Sequence, residues 1–418
     1  MRKLGTHWIP AVILPFSLAV ICLGWWMTNW FAVAGGVTGI CYVVPWVVPF
    51  GRVRRKKEER VAAKPAVGRS VKRAPADPND TDALVEQMLA QGRFALLLRA
   101  QIAETLSKVH FRRTLEALDD AMTLVPDGEV VLGRIDEALN DGKLMPEEII
   151  AGGGRVIRVE RFFLDRFPVT NREFHEFTSS GGYEQMALWD RSVLPAVLDF
   201  VDHTGVPGPR FWRDGCFPPG EENHPVVGIS WYEASAYARW LGKRLPSDAE
   251  WVKAGSWPMS LAASTPSVAK RMQRKYPWGD TMDRGRANLW GSGPDRTIPV
   301  EASPDGVSVG GVHQLIGNTW EWIGGDFRGG DHPEGELELP TPMKSIRGGA
   351  FDTYFDNQAT CQFQSGENPL SRKHNIGFRC AVCVCDLTLA RDNTATAEPR
   401  ARQENLEQPK PEAEEVPV

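Results

Sequence analysis

The chain has 418 residues, a formal net charge of −5 and 42% hydrophobic residues, which suits one large globular domain or two ordinary ones. Its slightly acidic balance gives no support to a nucleic-acid partner. Fifteen tryptophans and forty glycines favour a loop-rich domain whose aromatic rings fill a core that regular elements leave open.

Residues 8–26 and 30–50 carry no charge, and each is near the ~20 residues a helix needs to cross ~30 Å of hydrocarbon. Two transmembrane helices within residues 1–50 are therefore predicted, with Trp25, Trp26 and Trp30 at the lipid–water boundary. A cleaved signal peptide fits less well, because the apolar run is long and no small-x-small site follows it. Arg2 and Lys3 precede the spans, and Arg52, Arg54, Arg55, Lys56, Lys57 and Arg60 follow them. The positive-inside rule then places both termini and the large domain in the cytoplasm, on the inner (cytoplasmic) membrane. Residues 51–79 read as a flexible basic linker, whose charge also suits anionic headgroups.

Residues 80–124 turn helical, with Leu84, Val85, Met88, Leu89, Ile102, Leu106, Leu115, Leu118 and Met122 at three- and four-residue steps. They predict a small helical module that packs on the main domain in preference to a partner helix. His110 stands alone in this stretch, with Glu116 six positions on, and iron is not expected. Gly152 to Gly154 lacks the Lys-Ser/Thr of a phosphate loop and reads as a hairpin bend.

Residues 162–170 (FFLDRFPVT) read as a strand running into a helix. Thr170 with Glu173, Ser230 with Glu233 and Ser247 with Glu250 form three capping boxes, in which hydroxyl and carboxylate satisfy amides at a helix start. Behind the second box, Ala234, Tyr237, Ala238 and Leu241 make an apolar stripe, and Gly242 is placed to end the helix. Residues 178–223 are a long polar insertion of the kind that builds binding surfaces. Residues 386–418 hold few apolar side chains and many charges, and read as a disordered tail.

Three separated blocks carry one signature: HPVVGISWYEASAYARWLGKRLPSDAEW at 224–251, GVHQLIGNTWEWIGGD at 311–326, and a stretch that opens IRGGAFD at 346 and closes NIGFRCA at 381. Their order and spacing resemble the formylglycine-generating enzyme, or sulfatase-modifying factor, family over residues 125–385. The resemblance implies an α+β domain of the C-type-lectin-like fold, here preceded by the transmembrane hairpin and the helical module.

Enzymes of that family oxidise a cysteine in a sulfatase peptide to formylglycine, and the resemblance implies one copper(I) ion held between two thiolates. A soft monovalent ion prefers soft sulfur. The positions matching the thiol pair are Thr353 and Gln358, neither of which ligates copper(I), and Ala350 replaces the serine of the enzymes' GGS. Copper is accordingly not expected, no catalytic residue is assigned, and the balance falls against an enzyme. The resemblance also implies a ligand groove lined by Trp320, Asp326, Arg347, Phe351, Thr353, Gln358, Cys361 and Asn375. Calcium stays open, since relatives hold an ion on the GNxWEW turn. The matching positions are Gln314, Gly317, Thr319 and Glu321, with Glu321 either the single charged ligand or a cap for local amides. A second family site would begin at Asn288 and Leu289, where the loop that supplies its carboxylate is shorter here. Arg379, in GFRC, is assigned to the core, tying several carbonyls.

The seven cysteines, at 22, 41, 216, 361, 380, 383 and 385, show no CxxC pair or metal-finger spacing, and most read as buried thiols. Where secreted relatives carry disulfide partners this chain has Ala238 and Gly255, which leaves Cys380 unpaired and fits a reducing compartment. The leading reading is a membrane-tethered, non-catalytic relative, a pseudoenzyme, that binds a protein or peptide. Beside it stand a copper- or thiol-dependent oxidoreductase using a divergent site that includes Cys361, and a retroelement-diversified variable binding protein that displays residues 353–368.

Overall fold

Two units divide the chain, residues 1–66 and 67–418, and the computed structural model describes residues 80–133, 154–257, 259–260, 271–327 and 341–390. The predicted transmembrane helices, the basic linker, Gly152 and Gly153, and the tail beyond 390 lie outside the described residues. Among the described residues no helix is long and apolar enough to cross a membrane.

Four helices come first: α1 (Thr81–Ala90), α2 (Phe94–Leu97), α3 (Ala100–Ala103) and α4 (Lys108–Ala121). Strands β1 (Met122–Val125), β2 (Gly128–Leu132), β3 (Arg155–Val159) and β4 (Phe162–Asp165) follow. Helices α5 (Asn171–Ser179), α6 (Leu194–Val197), α7 (Trp231–Trp240) and α8 (Asp248–Ser256) come next. The chain continues as β5 (Met259–Ser260), β6 (Arg271–Met272), β7 (Trp320–Asp326), β8 (Lys344–Arg347), β9 (Gln364–Glu367), β10 (Ile376–Gly377) and β11 (Ala381–Cys383).

All three predicted capping boxes are formed, at the starts of α5, α7 and α8. The order β1-β4-β11 joins the two ends of the domain in one antiparallel sheet, with Phe163 opposite both Leu124 and Val382. A second sheet runs β10-β7-β8-β9, with β10 parallel to β7 and the other pairs antiparallel. Helix α7 buries Ala234, Tyr237 and Ala238 against Phe174, Phe177, Trp322 and Phe378. The second core gathers Trp251 and Val252 of α8 with Leu315, Ile316 and Ile323.

The helical module packs on this domain, as its apolar spacing predicts: Leu97, Leu98, Leu118 and Met122 share a core with Phe163 and Val382. Two arginines cross the seam, Arg93 donating to the Trp240 carbonyl and Arg99 to the Gly242 carbonyl. Gly242 ends α7 with φ +75°, and a Cβ there would sit 2.6 Å from the Leu96 side chain. Gly242→Ala is therefore expected to lower stability by about 1–3 kcal/mol. Hydrogen exchange should quicken first in α2 and α4, and unchanged protection there would contradict the seam.

The described part of the tail departs from the sequence reading. Residues 386–390 are placed: Leu387 and Leu389 pack on the helical module's core, and the Thr388 N–H donates to the Leu98 carbonyl at 2.8 Å. Two leucines at alternate positions give enough apolar surface to hold a short segment whose remaining composition is polar.

Candidate functional site

The centre of the motif region is a buried ion pair. Arg379 is fully buried, and its guanidinium donates to both Glu321 carboxylate oxygens at 2.7–3.0 Å. It also donates to the carbonyls of Asp165, Arg166 and His313, so the core role assigned to it holds. Glu321 accepts in addition from the Trp251 indole at 2.8 Å. Bonds from one planar fork to five acceptor oxygens tie β4, the 311–319 turn and β7 together.

This arrangement bears on calcium. The one anionic member of the expected set, Glu321, is turned into the core and neutralised by Arg379. Gln314 instead spends its amide on the Pro299 and Ala302 carbonyls and accepts from Asn318. Hard cations need several unspent oxygens. As placed, Gln314, Gly317, Thr319 and Glu321 do not fit a calcium ion, and Glu321 serves Arg379 and Trp251 in place of the turn amides. The Asn288 side chain, where the second family site would begin, donates to the Arg296 carbonyl and to Asn318.

The inherited groove divides into four parts. Arg347 is 3% exposed and pairs with Asp248 at 2.6 Å, and Asp248 also accepts from Ser345 and Gln364. Arg347 donates further to the carbonyls of Gln362 and Phe363, which makes it a brace beneath the groove. Cys361 is fully buried, its sulfur 3.0 Å from where a Cβ on Gly255 would stand, and burial pushes its thiol well above the usual range. Cys361 is thus packed behind α8, out of contact with solvent. Asp326 sits at the far end of β7, about 20 Å along the strand from Trp320 at ~3.3 Å per residue, where it pairs with Lys344.

Of the remaining residues, Trp320, Asn375 and Phe351 lie close to one another. The Trp320 N–H donates to the Asn375 carbonyl at 2.9 Å, the Asn375 amide donates to Asp352, and the Phe351 ring lies 5.7 Å from His374. Thr353 is buried, and its hydroxyl accepts from the Ala350 N–H at 2.8 Å, closing the GGA turn from within. Gln358 ends a short 3-10 turn and is half-buried. The positions matching the enzymes' thiol pair therefore hold a turn-closing hydroxyl and a neutral amide, neither suited to copper(I).

Sequence reasoning missed what lies beside this floor. Trp290, Tyr354 and Phe355 are each about half exposed or more (49%, 55% and 59%) and touch ring to ring at 4.7 and 5.0 Å. Arg284 fixes them by donating to the carbonyls of Trp290 and Tyr354 and to Asp356. The adjacent aromatics Tyr354 and Phe355 in a polar loop were the available signal. Asp248 was also missed, because its place in a capping box reads as a helix start.

On the other side of Phe351, rings continue through His374 and Phe211 to His203 at centroid distances of 5.7, 6.4 and 6.0 Å. They end at a cavity of about 630 Å³ lined by Asp199, Val201, Arg210, Leu370 and Lys373. The 178–223 insertion builds one wall, as its composition suggests. Arg372 holds that wall by donating to the Val201 and Gly208 carbonyls while paired with the buried Glu233 of α7.

A family model for the sulfatase-modifying factor enzyme 1-like domain matches residues 109–384. The inactive C-alpha-formylglycine-generating enzyme 2 of Mus musculus is 30% identical over 301 residues, covering 63% of this chain and 86% of that protein. The formylglycine-generating enzyme of Thermomonospora curvata is 29% identical over 313 residues, covering 65% and 96%. A hercynine oxygenase of Mycolicibacterium smegmatis is 34% identical over 214 residues, 49% of this chain and 45% of that one, so the chain spans less than half the length of that relative. Among solved structures, PvdO from Pseudomonas aeruginosa is 20% identical, with 62% of this chain and 93% of that chain covered at a TM-score of 0.38. The match runs through the capping boxes, the Glu321–Arg379 centre and the GGA turn, and covers well over half of the sequence: the chain belongs to the sulfatase-modifying factor, or formylglycine-generating enzyme, family.

Proposed function

We propose that this chain is a non-catalytic member of its family that captures a peptide or protein, tethered to the membrane through residues 8–50. The observation that carries the reading is the exposed, Arg284-braced cluster of Trp290, Tyr354 and Phe355 beside the GGA turn. Contiguous exposed aromatics are costly in water and are the residue types that anchor interfaces. Fixing them in advance lowers the ordering cost of binding. A partner segment lying on this cluster would cross Phe351 and His374 and reach the cavity beside Arg210. Gln358 then acts as lining for the bound segment and Thr353 holds the turn beneath it, with no part in redox chemistry.

The oxidoreductase alternative is disfavoured by the packing of Cys361, which is fully buried against α8. The test is a pull-down with the full chain solubilised in detergent, beside a chain lacking residues 1–78. Both are expected to capture the same partner, while the shorter chain leaves the membrane fraction. Gln358→Ala is expected to weaken capture several-fold with an unchanged unfolding midpoint. Undiminished capture by Gln358→Ala, or loss of the partner with residues 1–78, would count against the groove.

A further inference from the structure

The described cysteines are not all alike. Cys361 and Cys380 are buried, whereas Cys383 and Cys385 are joined as a disulfide across the single residue Val384. Cys385 is exposed and Cys383 half-buried. A bond that closes so short a loop removes little freedom from the unfolded chain, so it contributes little as a staple. The turn around it is held by other contacts. Val384 donates to the Arg161 carbonyl, Asp386 pairs with Arg99 at 3.2 Å, and Thr388 bonds Leu98. The ring can therefore open and close without unfolding the segment. The Cys385 N–H donates to the Cys383 sulfur at 3.4 Å, a contact that favours negative charge on Cys383 over Cys385.

From this asymmetry we infer that Cys383 and Cys385 form a thiol–disulfide exchange site whose co-reactant is an accessible dithiol or small thiol. An incoming thiolate attacks the exposed Cys385 sulfur, forming a mixed disulfide and expelling Cys383 as a thiolate that accepts the Cys385 N–H. A second thiolate of the co-reactant then attacks the co-reactant's own sulfur in the mixed disulfide and releases Cys385. Two electrons pass to the pair, and the two protons of the co-reactant dithiol end on Cys383 and Cys385. The site lies outside the groove and is independent of what the groove captures.

The full chain is equilibrated in buffers of reduced and oxidised glutathione, quenched in acid, alkylated, and read residue by residue by mass spectrometry. The pair is expected to interconvert as one unit, its reduced-to-oxidised ratio rising in proportion to the square of glutathione over glutathione disulfide. Cys383→Ser is expected to trap a glutathione adduct on Cys385, and the double Cys383→Ser, Cys385→Ser chain to keep the native urea midpoint. A disulfide unmoved in every buffer, two thiols reacting independently, or a lowered midpoint in the double variant would each overturn the assignment.

Discussion

Glu321→Ala is expected to cost about 3–5 kcal/mol of unfolding free energy, a third or more of the ~5–15 kcal/mol that holds a typical domain. The reason is what it leaves behind. Arg379 is fully buried, so removal of Glu321 strands a guanidinium whose remaining acceptors among the described residues are three carbonyls, while the Trp251 indole loses its partner. Arg347→Ala is expected to act by the same physics from the other side, stranding the Asp248 carboxylate under β8. Urea unfolding monitored by tryptophan fluorescence measures both. A loss below about 1 kcal/mol for Glu321→Ala would show that the ion pair is not the structural centre described here.

Paired replacement of Tyr354 and Phe355 by alanine has the opposite profile. Both rings are more than half exposed and sit on a loop, so stability should stay within about 0.5 kcal/mol of the native chain. Capture of the partner should fall by roughly 30- to 1000-fold, the equivalent of about 2–4 kcal/mol for aromatic anchors. Trp290→Ala should follow, and Arg284→Ala should fall between, because it loosens the rings without removing them. A pull-down in which the double variant keeps its partner at native strength would move the binding surface elsewhere.

How far the sequence could be read depended on whether a role was local. The capping boxes of Thr170, Ser230 and Ser247 and the glycine stop at Gly242 are decided within a few residues, and each is found as spaced. The core role of Arg379 followed from its motif, but its partner Glu321 did not. A carboxylate in a turn reads equally well as a metal ligand until its direction is known. Cys361 illustrates the same limit, being three residues from Gln358 yet turned behind α8. The aromatic cluster is non-local, since Trp290 meets Tyr354 across 64 positions of chain, and only the fold brings them together. The disulfide across Val384 was legible as two cysteines on alternate positions, though the reading of most cysteines as buried thiols passed over it.

The positions that the resemblance matches to the enzymes' thiol pair hold a buried hydroxyl that closes a backbone turn and a neutral amide. A cysteine-bearing sulfatase-type peptide incubated with the full chain, copper(I) and dioxygen, then examined by mass spectrometry, tests the consequence most directly. The peptide is expected to return with its thiol intact. Conversion of that cysteine to a formyl aldehyde, dependent on the chain, would contradict the account.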